Sequence, residues 1–139
     1  MNASSKYLIA LLLLFAVIAQ GQTDSLDCRA IQAEWYQKTE GTHYLDFSIE
    51  LIGGLEEFNK AIPYPVEAMK AGIEGTVYVK CFVDTAGVPE CLTIIKGLGH
   101  GCDEAALVAV QRARFKVKFP RQFRFMVITV PVRYGSKRN

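Results

Sequence analysis

Chemistry in this chain could begin at His100, Gly101, Cys102 and Asp103. A cysteine at a helix start is biased toward its thiolate. Nucleophilic catalysis also needs a base brought in from elsewhere in the fold, and outside this cluster His43 is the one remaining histidine. His100 and Cys102 with a further cysteine are zinc-type ligands, but the repeated close spacing of a structural zinc site is missing. The plainer role of the cluster is a helix cap with a structural or free cysteine. A second candidate is the run Arg112, Arg114, Lys116, Lys118, Arg121 and Arg124, interleaved with Phe115, Val117, Phe119 and Phe123. In a cytosolic chain that mixture would suggest nucleic acid. Its plainer role is a solvated face whose basic stems cover the aromatic rings; its functional role would be steering toward an acidic receptor segment or an anionic membrane surface.

The compartment decides between these readings. Lys6 precedes an unbroken apolar stretch from Tyr7 to Ala19, then Gln20, Gly21 and Gln22, which is the pattern of a secretory signal peptide over residues 1–22. The stretch is shorter than the roughly 20 apolar residues of a membrane span, so cleavage between Ala19 and Gln22 and a periplasmic mature chain are expected. Retained, it would be an inner-membrane anchor facing the periplasm. An exported chain has no nucleic-acid partner. Losing Lys6 takes the formal charge from +2 to +1, so bulk charge names no partner either.

Cys28, Cys81, Cys91 and Cys102 all remain in an oxidising compartment, where thiols tend to pair rather than hold metal. Four cysteines allow three full pairings. Cys81 and Cys91 fall opposite each other across a predicted hairpin, yet strand alternation points them to different faces. Cys28 tying the N-terminal segment to the domain is the alternative.

The elements that position these residues follow from periodicity. Ala30 to Lys38 reads as a helix, broken by Glu40 to Thr42, and His43 to Ile52 has the partial alternation of a strand. Residues 23–52 are taken as an N-terminal extension to a domain at 53–139. Gly53 and Gly54 open a short helix, Leu55 to Ala61, stopped by Pro63 and Pro65. Val66 to Ala71 is another, ended by Gly72. Thr76 to Val83 alternates strictly, Asp84 to Gly87 is a turn, and a second strand runs from Val88 to about Lys96, giving a hairpin. Bulky residues on both sides of the first strand suggest that both its faces are covered. Asp103 is placed to cap a helix carrying Ala106, Leu107, Val110, Ala113 and Arg114 on one side. Phe123 to Tyr134 reads as a third strand, and Pro131 assigns it to a sheet edge, because proline cannot donate to a ladder.

The helix between the second and third strands makes those two parallel to each other and both antiparallel to the first. The expected fold is an α+β two-layer domain. Its three-stranded antiparallel sheet has the hairpin's second strand, its first strand and the C-terminal strand in that order, with helices packed on one face.

In sequence, IPYPVEAMKAGIEGTVYVKCFVD, the TAG turn, TIIKGLGHGCDEAALVAVQRARF and VITVPVRY together resemble the C-terminal domain of the TonB energy-transducer family, over Gly53 to Tyr134. The resemblance implies a protein-interaction module without catalytic centre or cofactor. Its implied partner is a TonB-dependent outer-membrane transporter or another envelope protein. Inner-membrane proton-motor proteins join the implied partners if the N-terminal segment is retained. It also implies β-augmentation, in which an extended peptide bonds to a free strand edge. The residues implied are Ile128, Thr129, Val130, Pro131, Val132 and Arg133, with Ile62, Pro63, Tyr64 and Pro65 nearby. Of these, Ile128, Val130 and Val132 would offer only backbone, and Tyr64 has a core or turn role as its alternative. Ala61 and Ile62 stand where the family often carries glutamines. Between Ala19 and Pro63 there are about 44 residues, at most roughly 150 Å extended, without a Pro-rich tether. A freestanding, disulfide-stabilised envelope protein with a structural or accessory role is therefore the competing expectation.

Overall fold

A computed structural model describes residues 27–39, 47–118 and 121–135. The signal segment with its cleavage site, the break at 40–42, His43, Phe119 and Pro120 lie outside the described residues. Helix α1 (Cys28–Thr39) leads to strand β1 (Ser48–Leu51), helices α2 (Leu55–Ala61) and α3 (Val66–Lys70), and a hairpin of β2 (Gly75–Asp84) and β3 (Pro89–Lys96). Helix α4 (Cys102–Arg112) and strands β4 (Phe115–Lys118) and β5 (Phe125–Tyr134) complete the order. The class is α+β with antiparallel sheets. One sheet has three strands in the order β3, β2, β5, and a separate sheet pairs β1 with β4.

Alternation in β2 builds the core. Val77, Val79, Cys81 and Val83 are fully buried on one face, against Cys102, Ala106 and Val110 of α4 and Val130 and Val132 of β5. Removing each of these valines from water contributes about 1.5–3 kcal/mol. Cys81 belongs wholly to this layer, and burial pushes its thiol up to about 12. A raised folded-state value contributes stability that is complete below the ordinary thiol value and is lost as pH rises through the folded one. The unfolding free energy of the native protein, from urea titrations, should therefore fall more steeply between about pH 9 and pH 12 than that of Cys81→Ala, by at most ~1.4 kcal/mol per pH unit. Parallel pH profiles for the two proteins would refute this.

Four features depart from the sequence reading. First, helices do not all lie on one face: α1 packs on the opposite side of the sheet, where Ile31, Phe82 and Phe125 are buried with Trp35 and Val127 against them. The large residues on that second face, Phe82 of the hairpin and Phe125 of β5, require that cover, and a disulfide between Cys28 and Cys91 fastens it. Cys81 and Cys102 remain free and buried. Cys91 sits at a register shift in β3 with a positive φ of 51°, a bulge that aims its sulfur at α1.

Second, the stretch around residue 115 is not simply a solvated face. Phe115 is buried and Lys116 and Lys118 are exposed along β4, whose ladder with β1 runs from Ser48 opposite Lys118 to Leu51 opposite Phe115. Third, Asp103 does not cap its own helix. Its carboxylate instead accepts from the backbone N–H groups of Leu98 (2.8 Å) and Gly99 (3.2 Å), closing the loop before α4. Fourth, Arg114 is exposed rather than on the packed side of the helix, with its guanidinium donating to the Ala113 carbonyl.

Candidate functional site

The His100–Asp103 cluster lacks the geometry of a nucleophile. Cys102 is fully buried, and burial, then the charges of Asp103 and Glu104, raise its thiol above the ordinary value. His100 is exposed at the loop tip, and His43 is not among the described residues. Tyr134 donates its hydroxyl to the Cys102 carbonyl at 3.0 Å, so this turn serves to anchor β5 beneath α4. Among the described residues no group of three histidine, cysteine or acidic side chains is placed to hold a metal.

The more informative geometry belongs to β5. It pairs antiparallel with β2 through ten consecutive positions, from Gly75 opposite Tyr134 to Asp84 opposite Phe125, and it is the outer strand of its sheet. In an antiparallel ladder, backbone groups of alternate residues point toward and away from the partner. The phase is fixed by Asn59 of α2, whose amide oxygen accepts from Arg133 N–H at 2.7 Å and whose amide nitrogen donates to the Pro131 carbonyl at 3.5 Å. Residues 127, 129, 131 and 133 therefore turn their backbone outward. Pro131 sits in that phase, where its missing N–H takes nothing from the β2 ladder.

The outward set is thus Val127, Thr129, Pro131 and Arg133. Ile128, Val130 and Val132 turn their backbone groups to β2 instead, and Val130 and Val132 bury their side chains in the core. Thr129 and Arg133 have exposed side chains. Among the described residues, no hydrogen bond reaches the outward backbone groups of Val127 or Thr129. Val127 was missed by sequence reasoning although a signal existed: proline at 131 already set the phase that 127 shares.

The Ile62–Pro65 segment connects α2 to α3. Ile62 is buried, Pro63 is exposed, and Tyr64 is half-buried with its hydroxyl donating to the Ile73 carbonyl and its ring tilted against Tyr134 at 5.8 Å. Tyr64 thereby ties the turn between α2 and α3 to Ile73 and to Tyr134 at the end of β5. Ile62 and Pro63 also line a groove of about 510 Å³ between α2 and α4, with Phe58 and Val108 on its walls and Glu104 and Arg112 two turns apart at its margin.

No described helix is long and apolar enough to cross a membrane. No curated protein and no solved structure matches the chain. Residues 60–135, from the end of α2 through β5, match the family described as Gram-negative bacterial TonB protein C-terminal. That match spans more than half of the sequence and covers the hairpin, the crossover helix and the edge strand that form the site, so the chain belongs to the TonB C-terminal family.

Proposed function

We propose that the chain is a periplasmic protein-interaction module that takes an extended segment of an outer-membrane transporter, or of another envelope protein, as an added strand along β5. The observation that carries this is the outward backbone of Val127 and Thr129, a donor and acceptor row with no partner among the described residues, on a strand whose inner side is tied to β2 throughout. An incoming peptide satisfies such groups, and side-chain contacts beside them select its sequence. Thr129, exposed beside the rim, and the half-buried Val127 and Ile128 are the side chains available for that selection.

The freestanding version of this module is favoured over a force-transmitting one by the Cys28–Cys91 link. Once Cys28 is fastened to the sheet, only about nine residues separate it from Ala19, a reach of roughly 30 Å. That is too little chain to act as a long tether.

The test is titration of the disulfide-bonded protein with N-terminal peptides of outer-membrane transporters while backbone amide signals are followed. Binding should move the signals of Val127 and Thr129 most. Thr129→Pro removes an outward donor while leaving the β2 ladder intact, and should weaken a binding peptide by about tenfold with little loss of stability. Val130→Pro, which breaks the inner ladder, should instead destabilise the fold by about 3 kcal/mol or more. No β5 response across a broad peptide panel, or unchanged affinity in Thr129→Pro, would overturn the proposal.

A further inference from the structure

Asn59 is the one polar side chain buried among the described residues, at 7% exposure. Burying an amide is unfavourable unless its donors and acceptor are bonded. The partners here fix its orientation. The Arg133 N–H can only donate, so it meets the side-chain oxygen at 2.7 Å. The carbonyls of Leu55, at 2.8 Å, and Pro131, at 3.5 Å, can only accept, so both face the side-chain nitrogen.

An amide that accepts from residue 133 and donates to residue 131 bonds as one residue of a neighbouring parallel strand would, since each such residue spans two positions on its partner. Asn59 therefore occupies the C-terminal part of the β5 rim with a side chain shaped like a peptide group. The rim N-terminal to it, at Val127 and Thr129, carries no such cover among the described residues. We infer that Asn59 is a register stop. It closes the edge at Pro131 and Arg133, confines an added strand to the Phe125–Thr129 stretch, and so sets the length and frame of the segment this protein can take. Native edges are commonly blunted in ways that restrict pairing, and here the blunting covers one half of the strand.

This inference rests on the docking reading above, and its test separates the two. The probe is a short capped peptide of alternating valine and threonine, chosen because it forms strands without specifying a pocket. It is titrated into the disulfide-bonded native protein and into Asn59→Ala and Asn59→Leu, the second keeping most of the side-chain volume. In the native protein the amides of Val127 and Thr129 should respond and that of Arg133 should not. In the variants the footprint should lengthen to include Arg133, and affinity should tighten by about tenfold as further backbone bonds become available.

A mere packing role for Asn59 would lower stability without lengthening the footprint, so an unchanged footprint in folded variants overturns the stop. A response of Arg133 equal to that of Val127 and Thr129 in the native protein also overturns it, leaves docking intact, and needs no variant to fold. Absence of any β5 response in every protein defeats docking and the stop together.

Discussion

Reduction of the Cys28–Cys91 disulfide should release α1 from the sheet and shift the fluorescence of Trp35 to longer wavelength. Trp35 is the chain's single tryptophan, so the signal reports this helix alone. Its ring meets Phe82 edge-on at 6.4 Å, across from the main core. Three observations make α1 depend on the covalent link. A helix of 12 residues is marginal by itself in water. Ile31 is its one buried residue. The Trp35 Nε1–H is buried without a hydrogen-bond partner among the described residues, which costs about 1–3 kcal/mol on docking. Against this stand the Lys38 ammonium donating to the Gln122 carbonyl at 3.0 Å and an exposed Lys38–Glu34 pair, the latter worth little in water.

The link spans 63 residues, so closing that loop restricts the unfolded chain by about 4 kcal/mol in the chain-entropy account. Cys28→Ser should therefore lower unfolding free energy by up to that amount. The loss is smaller where α1 simply detaches and leaves the β3–β2–β5 sheet folded. Urea unfolding followed at Trp35 and by far-ultraviolet circular dichroism distinguishes these: in the reduced protein the two probes should separate, the tryptophan being shifted before the circular-dichroism transition of the sheet begins. Coincident transitions with an unshifted tryptophan would show that packing alone holds the helix.

Much of this architecture could be read from residue order because local and global signals agree there. The alternation of Val77, Val79, Cys81 and Val83 specifies a strand with one buried face, Asp84 to Gly87 specify its turn, and Pro131 specifies an edge. The spacing of Ala106 and Val110 places α4 on the core. The small sheet was half legible: His43 to Ile52 carries the partial alternation of a strand and contains β1, but its partner β4 was not, since Lys116 and Lys118 read equally well as a solvated face. The cover on the second face was partly legible: bulky residues on both sides of β2 call for it and Cys28 was one of the possible ties, but Ile31 and Trp35 make too narrow an apolar stripe to mark α1 as the covering element. At the site, the proline gave the phase of the rim but Asn59 gave no signal. Its role arises from α2 meeting β5 at Asn59, a tertiary relation between residues 74 positions apart.

Gly87→Ala should be among the most damaging single substitutions in the molecule. Gly87 closes the β2–β3 turn with φ of +80°, and a Cβ added there would lie 1.8 Å from the Phe115 carbonyl oxygen and 2.9 Å from its carbon. Those atoms belong to backbone, held in place because Phe115 N–H donates to the Gly87 carbonyl at 2.9 Å and Phe115 itself is buried. Relief therefore requires the turn to lift from β4, breaking that bond and loosening the β1–β4 pair. Gly72 supplies the control: its φ is +64°, and a Cβ there meets nothing within 4 Å. Gly72→Ala should cost only the left-handed backbone penalty, about 1–2 kcal/mol, whereas Gly87→Ala adds the clash and should reach about 4 kcal/mol or more. Asparagine separates the two causes, because it tolerates positive φ better than alanine. Gly72→Asn should recover much of the loss while Gly87→Asn recovers almost none, as its Cβ meets the same oxygen. Equal urea midpoints for the two alanine variants would mean that backbone conformation, rather than contact with Phe115, is what Gly87 provides.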